Sequence, residues 1–257
     1  MSTRHDSVRG SAIARSTVDS IEVHGLDLCS QLIGHVTLAD FLVLELKGVL
    51  PDPAERDLVD AFLVTLAEHG TTPSTIAARM TLLGSPDQLQ AAVAAGLLGA
   101  GSRFLGSMGD CARLLQDPAV DGAGDDPRAR ASVLLQNSRG AVLPGLGHPL
   151  HKDGDPRSAR LFAMARAAGS YGRACDTIHA VVDALAKERR APLPINATGA
   201  IAAIATDLGY PWSQLRAFPL VARTVGLIGH MVEEMRAPIA QSIWDAVESA
   251  PAPVEVR

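Results

Sequence analysis

Two histidines, a lysine and an arginine lie close together in the segment 144–157, PGLGHPLHKDGDPR. Its three glycines lack a Cβ atom, so the backbone can approach a ligand closely. Arginine can hold a carboxylate through two parallel hydrogen bonds, and lysine offers a point charge to a phosphate. Asp155 and Pro156 are typical of a helix start, which places Arg157 in the first turn. The segment predicts a site for an anionic ligand; an exposed polar loop that leads into a helix is the alternative.

The order of these residues resembles the active-site loop of the citrate synthase superfamily: Gly-x-Gly-His, a lysine four residues later, then Asp-Pro-Arg. Over residues 35–248 the chain is similar to the citryl-CoA lyase branch, which also forms the C-terminal module of ATP-citrate lyase. The resemblance implies that His148 holds and polarises a 2-oxo acid and that Arg157 grips a substrate carboxylate. It also implies that coenzyme A is bound by Gly145, Leu146, Gly147 and Lys152.

Two further segments resemble binding motifs of the same family. The turn Glu68-His69-Gly70 is similar to the family's (Asp/Glu)-His-Gly turn, whose histidine binds the keto acid. The alternative is a histidine favoured at a helix C-terminus by the helix dipole. Arg223 and His230 lie seven residues apart, on one face of a predicted helix. They resemble the family's Arg-x-x-Gly-x-x-x-His, whose arginine binds a second carboxylate; the alternative for Arg223 is a salt bridge to a neighbouring helix.

The chain departs from the family pattern at two positions. Phe104 stands where the synthases carry a catalytic histidine, which favours cleavage over synthesis and places Phe104 among the substrate contacts. Thr198 stands where the family has its catalytic aspartate, and a threonine hydroxyl is no general base near neutral pH unless another group activates it. Arg236 is assigned to the substrate because an arginine near this end of the family's sequence often reaches a partner subunit's active site.

The resemblance therefore implies a carbon–carbon lyase. It would cleave a 3-hydroxy-3-carboxyacyl-CoA, such as citryl-CoA, to acetyl-CoA and a 2-oxo acid, oxaloacetate. The catalytic residues would be His148, His69 and Thr198. Three alternatives stay open: a citramalyl-CoA lyase that gives pyruvate, a condensing enzyme of the citrate synthase type, and a non-catalytic homologue that binds CoA esters. We expect no metal and no cofactor apart from coenzyme A as part of the substrate, and a homodimer or homotetramer.

Composition argues against several other functions. The 257 residues are 47% hydrophobic but only 4% aromatic, so the core must consist of aliphatic side chains and alanine. A net charge of −5 without a long basic run argues against nucleic-acid binding. Three widely spaced cysteines show neither metal spacing nor a disulfide framework, which fits a reducing cytoplasm. We expect no signal peptide and no transmembrane helix, because no apolar run has the required length.

Alanine and leucine favour helices, and the family resemblance implies an all-α, citrate-synthase-like fold. The expected organisation is an N-terminal arm (1–34), a large lobe (35–117 and 196–257) and a small lobe (118–195), with a loop over 117–128 as the hinge. A short strand pair or an irregular arm is expected over residues 21–32. Asp176 is predicted to cap a helix that runs to Lys187, and Trp244 to anchor the C-terminal tail on the core. The main helices are expected near 37–48, 53–67, 73–80, 86–98, 129–139, 156–168 and 212–235.

Overall fold

The computed structural model describes residues 11–138, 142–189 and 193–251, and within them the chain is mainly helical. The predicted all-α class is confirmed, although three short strands precede the helices. The strands are β1 (Ala14–Ser16), β2 (Ile21–Val23) and β3 (Leu26–Asp27). The helices are α1 (Leu38–Lys47), α2 (Pro53–Ala67), α3 (Pro73–Gly84), α4 (Leu89–Leu105), α5 (Ser107–Leu115), α6 (Pro118–Asp121), α7 (Pro127–Ser138), α8 (Pro156–Ala167), α9 (Arg173–Arg189), α10 (Ala197–Asp207), α11 (Ala217–Arg236) and α12 (Ala240–Glu248).

The chain divides into two compact units, with the boundary after Asp60. In the first unit, the three strands form an antiparallel sheet in the order β1-β2-β3, so the strand pair expected over residues 21–32 is present. A π-helix, Leu28–Leu32, follows directly. Val23, Leu32 and Leu44 form a buried hydrophobic cluster in this unit. The lobe boundaries predicted from the sequence are a different division and stay a prediction.

Local capping explains why helices begin where the sequence predicted. Thr37 and Asp40 form a capping box at the start of α1, and Gly48 ends that helix in the left-handed region with φ 74°. Thr72 and Thr75 form the same reciprocal arrangement at the start of α3. Each such cap satisfies backbone donors that the helix leaves open and contributes about 0.5–2 kcal/mol. The α3 capping box sets the position of the chain directly after the His69 turn.

Helix α10 is the central element of the second unit. Its residues from Gly199 to Ala205 are all buried. Because most of these side chains are small, α5, α8 and α9 pack closely against it. Helices α3, α4 and α11 form a neighbouring packed group. Its core consists of Ala78, Leu82, Ala92, Leu227 and Met231.

A glycine breaks α4 shortly before its end. Gly101 has φ 53° and ψ −163°, which no helix accommodates. The remaining turn leads into α5 after Gly106. This break separates the long apolar part of α4 from Phe104 at the candidate site. No single helix of the described chain has the length and apolar composition of a membrane span; Leu89–Ser102 and Ser107–Leu115, bent by 42°, meet that test only as a pair.

The N-terminus of α9 is capped from another helix, so the predicted cap by Asp176 is wrong. Asp207, the last residue of α10, accepts hydrogen bonds from the backbone N–H of Gly172 at 2.8 Å, Ala174 at 2.8 Å and Cys175 at 3.1 Å. Asp176 lies inside the first turn of α9. The carboxylate that does the capping is 32 to 35 residues further along the chain, where local spacing gives no signal.

Two more predictions about the periphery are wrong. The segment 117–128, expected as a loop, contains α6, which Asp117 caps, and the start of α7. Four residues are too few for helical periodicity to show. The tail after Arg236 forms α12, and Trp244 is 49% exposed instead of anchored on the core. Helix α12 contacts α3 and buries Ala240, one helical turn before Trp244.

Candidate active site

The glycine-rich segment that opens the site lies against the start of α10. The N–H of Gly147 donates to the carbonyl of Pro194 at 2.7 Å, and the N–H of Asn196 donates to the carbonyl of Gly145 at 3.0 Å. Gly145 has φ 86°, and a Cβ atom there would lie 2.7 Å from the Cα of Gly199. Only glycine fits such an approach. Between the two glycines, Leu146 forms an antiparallel β-bridge with Ile195, which lies two residues before α10, and this pairing keeps the segment extended.

Asp155 caps α8 and holds Arg157 at the same time. Its carboxylate is 3% exposed and accepts the backbone N–H of Arg157 and of Ala197, the first residue of α10. It also accepts from the Arg157 guanidinium, Nε at 3.0 Å and Nη2 at 2.8 Å. Burial opposes its ionisation, but the Arg157 guanidinium and these backbone donors keep the pKa of Asp155 below its usual range. Sequence reasoning had assigned Asp155 only the capping role.

The hydrogen bonds of His148 assign its proton. Its Nδ1 accepts from the backbone N–H of Leu150 at 3.2 Å and of His151 at 3.1 Å. Burial, followed by the electrostatic influence of His151 and of the Arg157 guanidinium, lowers the pKa of His148 and so favours the neutral ring. A neutral ring accepts at only one nitrogen, and the two backbone N–H groups at Nδ1 favour the tautomer that carries its proton on Nε2. Nη2 of Arg157, which can only donate, lies 3.3 Å from that Nε2, so two donors face each other and an acceptor oxygen of a ligand between them would take both hydrogen bonds.

A single pocket brings together four of the residues chosen from the sequence. His69, Phe104, Thr198 and Arg223 all line it. Phe104 is half-exposed and offers an aromatic wall that has no ring nitrogen. The remaining lining consists of Leu66, Thr72, Ser74, Ala100, Leu105, Ser107, Met108 and Pro219. The described lining therefore has one cation, one imidazole, several hydroxyls and no carboxylate.

Arg223 is the cation of this pocket. It is 7% exposed, and among the described residues no carboxylate lies within ion-pair distance of it. Its Nε has no hydrogen-bond partner in that part of the chain. Burial lowers the pKa of Arg223, and the more distant negative charge of Glu68 only partly opposes this effect. A buried guanidinium without a counter-ion is costly, so the pocket is suited to an anion. The alternative of a salt bridge to a neighbouring helix is wrong for the described residues.

His69 connects the pocket with the 144–157 segment electrostatically. Burial lowers its pKa most, followed by the positive charges of Arg223 and of Arg157, while Glu68 opposes them. Both arginines therefore lie close enough to this imidazole to act on its charge. His69 is therefore neutral near neutral pH and can accept a proton.

Thr198 belongs to a chain of hydroxyl and amide groups. Its Oγ1 donates to Oδ1 of Asn196 at 2.7 Å, and Oγ of Ser107 donates to Thr198 at 3.4 Å. Asn196 in turn donates to the carbonyl of Gly147 at 2.9 Å. Since the Thr198 proton is already donated, the hydroxyl offers lone pairs to a ligand or water. Ser107 was not predicted as a site residue from the sequence. Its position in the first turn of a helix, directly after Gly106, could have indicated it, because serine hydroxyls at helix starts are available for hydrogen bonds.

A sequence model of the citrate synthase C-terminal domain matches residues 24–244. The chain belongs to the citrate synthase family. A family member from Mycobacterium tuberculosis, provisionally named citrate synthase 2, is 34% identical over 193 residues, which are 72% of this chain and 49% of that protein. The chain thus spans about half the length of the curated relatives it matches.

Solved structures place the chain more closely within the citrate synthase family. Citryl-CoA lyase from Hydrogenobacter thermophilus superposes with a TM-score of 0.84 and 30% identity, over 97% of this chain and 96% of that one. ATP citrate lyase from Methanothrix soehngenii, solved with citrate and coenzyme A, gives 0.73 and 20% identity over 91% of this chain and 40% of that one, which shows the fold alone. The predicted resemblance to the citryl-CoA lyase branch is confirmed.

Seven residues chosen from the family pattern are not part of the pocket lining: Gly145, Leu146, Gly147, His148, Lys152, Arg157 and Arg236. Lys152 is exposed on the 144–157 segment, where it is free to reach a phosphate. Arg236 is exposed at the end of α11, 13 residues after Arg223 and hence about 20 Å further along that helix. The single chain therefore does not bring Arg236 to the pocket. Within the described ranges, no three His, Cys, Asp or Glu side chains are close enough to hold a metal ion.

Proposed function

We propose that this chain is a carbon–carbon lyase that cleaves citryl-CoA, or a closely related 3-hydroxy-3-carboxyacyl-CoA, to acetyl-CoA and oxaloacetate. The observation that carries the proposal is Arg223, a buried guanidinium without a carboxylate partner among the described residues, in one pocket with His69 and Thr198. The citryl group offers the carboxylates that such a cation requires. The likeness to a citryl-CoA lyase over nearly the full length of both chains supports the same reaction.

Substrate binding would use both arginines and the glycine-rich segment. Arg223 and Arg157 would each hold a carboxylate, and bonds of this kind contribute about 1.5–3 kcal/mol. Lys152 would meet a phosphate of coenzyme A, while the backbone of residues 145–147 lies along the pantetheine arm. The second carboxylate contact separates citryl-CoA from citramalyl-CoA, which has one carboxylate fewer.

Cleavage begins at the C3 hydroxyl. We assign the acceptor of its proton to His69, because His148 already carries its ring proton on Nε2 and can only donate there. As the C2–C3 bond breaks, the oxygen becomes the ketone of oxaloacetate, and the bonding electrons pass to the enolate of acetyl-CoA. The Nε2–H of His148 and the Arg157 guanidinium would hold that oxygen throughout, which is electrostatic stabilisation by groups already in place.

The enolate then needs one proton on carbon. The Thr198 hydroxyl donates to Asn196, so Thr198 and Ser107 would act by holding a water molecule that gives a proton to the carbon and takes in return the proton that His69 removed from the hydroxyl. No carboxylate lines the described pocket to take a proton from acetyl-CoA in the reverse direction. The proposal therefore favours cleavage over condensation.

We also propose that the chain associates with a second copy of itself. Val225, Ile228, Val232 and Met235 recur every three or four residues on α11 and are 39% to 57% exposed. An apolar stripe of this spacing on one helix is typical of a helix-to-helix interface. Arg236 follows the stripe directly, so in a pair of chains it would lie beside the partner and could serve the partner's site.

The decisive experiment is a turnover assay with citryl-CoA. The purified protein should release acetyl-CoA and oxaloacetate in equal amounts, measured by coupled malate dehydrogenase and by mass spectrometry. Citramalyl-CoA, and acetyl-CoA with oxaloacetate, serve as the alternative substrates. If pyruvate is released faster from citramalyl-CoA, citramalyl-CoA replaces citryl-CoA as the proposed substrate. If acetyl-CoA and oxaloacetate are condensed instead, the proposed direction of the reaction is reversed. Binding of these CoA esters without any turnover would identify a non-catalytic homologue.

A further inference from the structure

Glu68 holds the turn that presents His69. Its Oε1 accepts hydrogen bonds from the backbone N–H of His69 at 2.8 Å and of Gly70 at 2.6 Å. The same oxygen lies 2.8 Å from Nε2 of His230 on α11. Burial by itself would raise the pKa of Glu68, but His230 and the two backbone donors hold it below its ordinary value. Glu68 is therefore ionised and is joined to α11 through one imidazole.

The second partner of His230 assigns the position of its ring proton. Nη2 of Arg79 lies 2.8 Å from Nδ1 of the ring, and a guanidinium can only donate. Nδ1 must therefore accept, which leaves the proton on Nε2, where it is donated to Glu68. The gap that the ring spans is set by backbone packing, because a Cβ atom on Gly226 would lie only 1.9 Å from the carbonyl oxygen of Ala67.

Arg79 is itself held from several sides. Its side chain is 1% exposed and pairs with both Glu233 and Glu234. Glu234 also accepts hydrogen bonds from the backbone N–H of Ile239 at 3.0 Å and of Ala240 at 2.8 Å, at the start of α12. Because these carboxylates hold the Arg79 guanidinium in place, its hydrogen bond to His230 fixes the orientation of the imidazole.

We propose that His230 is a positioning residue, which transmits the fixed position of Arg79 to Glu68 and thereby holds His69 at the pocket. This inference rests on the proposed lyase function, in which His69 accepts the hydroxyl proton. His230 touches neither the pocket lining nor the reacting atoms, and acts only through the Glu68 carboxylate. Loss of the link would leave the substrate-binding arginines in place while the proton acceptor becomes mobile.

The variants His230→Leu and His230→Gln test the link. Leucine fills the space but removes both hydrogen bonds, so kcat for citryl-CoA should fall about ten- to a hundredfold, with a much smaller change in KM. Glutamine can accept from Arg79 and donate to Glu68, and should restore most of kcat. A folded His230→Leu with native kcat, or a glutamine variant no better than leucine, would overturn the proposal.

A matched control is His179→Leu on α9. That ring also makes two hydrogen bonds, with the Tyr171 hydroxyl and the Cys175 carbonyl, but none to Glu68. It should keep native kcat, provided that circular dichroism and thermal melting show a folded protein. A loss equal to that of His230→Leu would show that any missing histidine slows the enzyme, and would contradict the specific link.

Nitrogen-15 NMR spectra of the histidine rings separate this inference from the proposed function, because they do not depend on turnover. The tautomer of His230 can be measured in the native protein alone. The His230 resonances should show the proton on Nε2, and the His69 resonances should shift in His230→Leu. A proton on Nδ1, or unchanged His69 resonances in the variant, would refute the positioning role. If the native protein does not cleave citryl-CoA, the proposed function fails, and the spectra alone decide the link.

Discussion

Arg223 and Arg157 are both assigned to substrate carboxylates, yet their surroundings differ. Arg157 already has the Asp155 carboxylate, whereas Arg223 has no carboxylate partner in the described part of the chain. Truncating Arg157 would leave a buried carboxylate unpaired and weaken the fold as well as binding. Truncating Arg223 removes a buried charge that forms no ion pair. The two arginines can therefore be distinguished by stability, even where both affect activity.

At Arg223 we predict a loss of binding without a loss of stability. Arg223→Met should raise KM for citryl-CoA about ten- to a hundredfold, the value of a hydrogen bond to a charged group. The midpoint of chemical unfolding should stay the same or rise. Arg173→Met, which removes exposed ion pairs and exposed hydrogen bonds to the carbonyls of Asp121 and Gly124, is the control and should leave KM unchanged. An unchanged KM in Arg223→Met would remove this residue from the carboxylate site.

At Thr198 we predict slow exchange of the acetyl-CoA methyl protons in the native protein. Thr198→Asp should accelerate deuterium uptake from heavy water with oxaloacetate present, measured by mass spectrometry. A carboxylate is tolerable there because Thr198 is the second residue of α10, where the helix dipole favours negative charge. Thr198→Asn is the control: asparagine has nearly the same shape as aspartate but no basic oxygen, so deuterium uptake should stay slow in this variant. Fast exchange in the native protein would show that another base exists.

Among the elements, the contact between the glycine-rich segment and α10 is the least tolerant. Gly145→Ala would force an L-residue into φ 86° and drive a methyl group against Gly199 and Cys111. We expect a loss of about 1–3 kcal/mol in the free energy of unfolding, measured with urea. Gly84→Ala is the matched control, because nothing lies within 4 Å of its Cβ position and φ is not positive. Equal stability of the two variants would contradict this description of the contact.

Local signals predicted most helix ends but failed where distant residues decide. Thr37, Gly48 and Pro156 mark boundaries through atoms a few residues away, so their effects could be predicted from spacing. The cap of α9 by Asp207 depends on tertiary packing. The same limit applies to the site. The resemblance pointed to His69 and Arg223, while the proton on Nε2 of His148 follows from two backbone donors that only the folded chain brings together.

For the whole molecule, the position of Arg236 leads to a complementation experiment. Chains carrying Arg236→Ala and chains carrying His148→Ala should each be inactive, yet mixed assemblies should regain activity, since one site then has an intact His148 and the partner's Arg236. Mixing Arg223→Ala with His148→Ala should restore nothing, because both residues serve the same chain's site. Activity of the Arg236→Ala chain alone, or no recovery in the first mixture, would contradict a shared site.

The buried, uncompensated cation at Arg223 also links ligand concentration to folding. We predict that a small di- or tricarboxylic acid binds only the folded state, because the unfolded chain hydrates that guanidinium and has no pocket. By mass action, each tenfold rise in free acid above its dissociation constant should add about 1.4 kcal/mol to the unfolding free energy. Melting temperatures should climb with oxaloacetate or citrate, and the climb should vanish in Arg223→Met. Without a bound anion the buried charge of Arg223 costs stability, and a carboxylic acid that binds beside it should therefore act as a stabiliser of the fold.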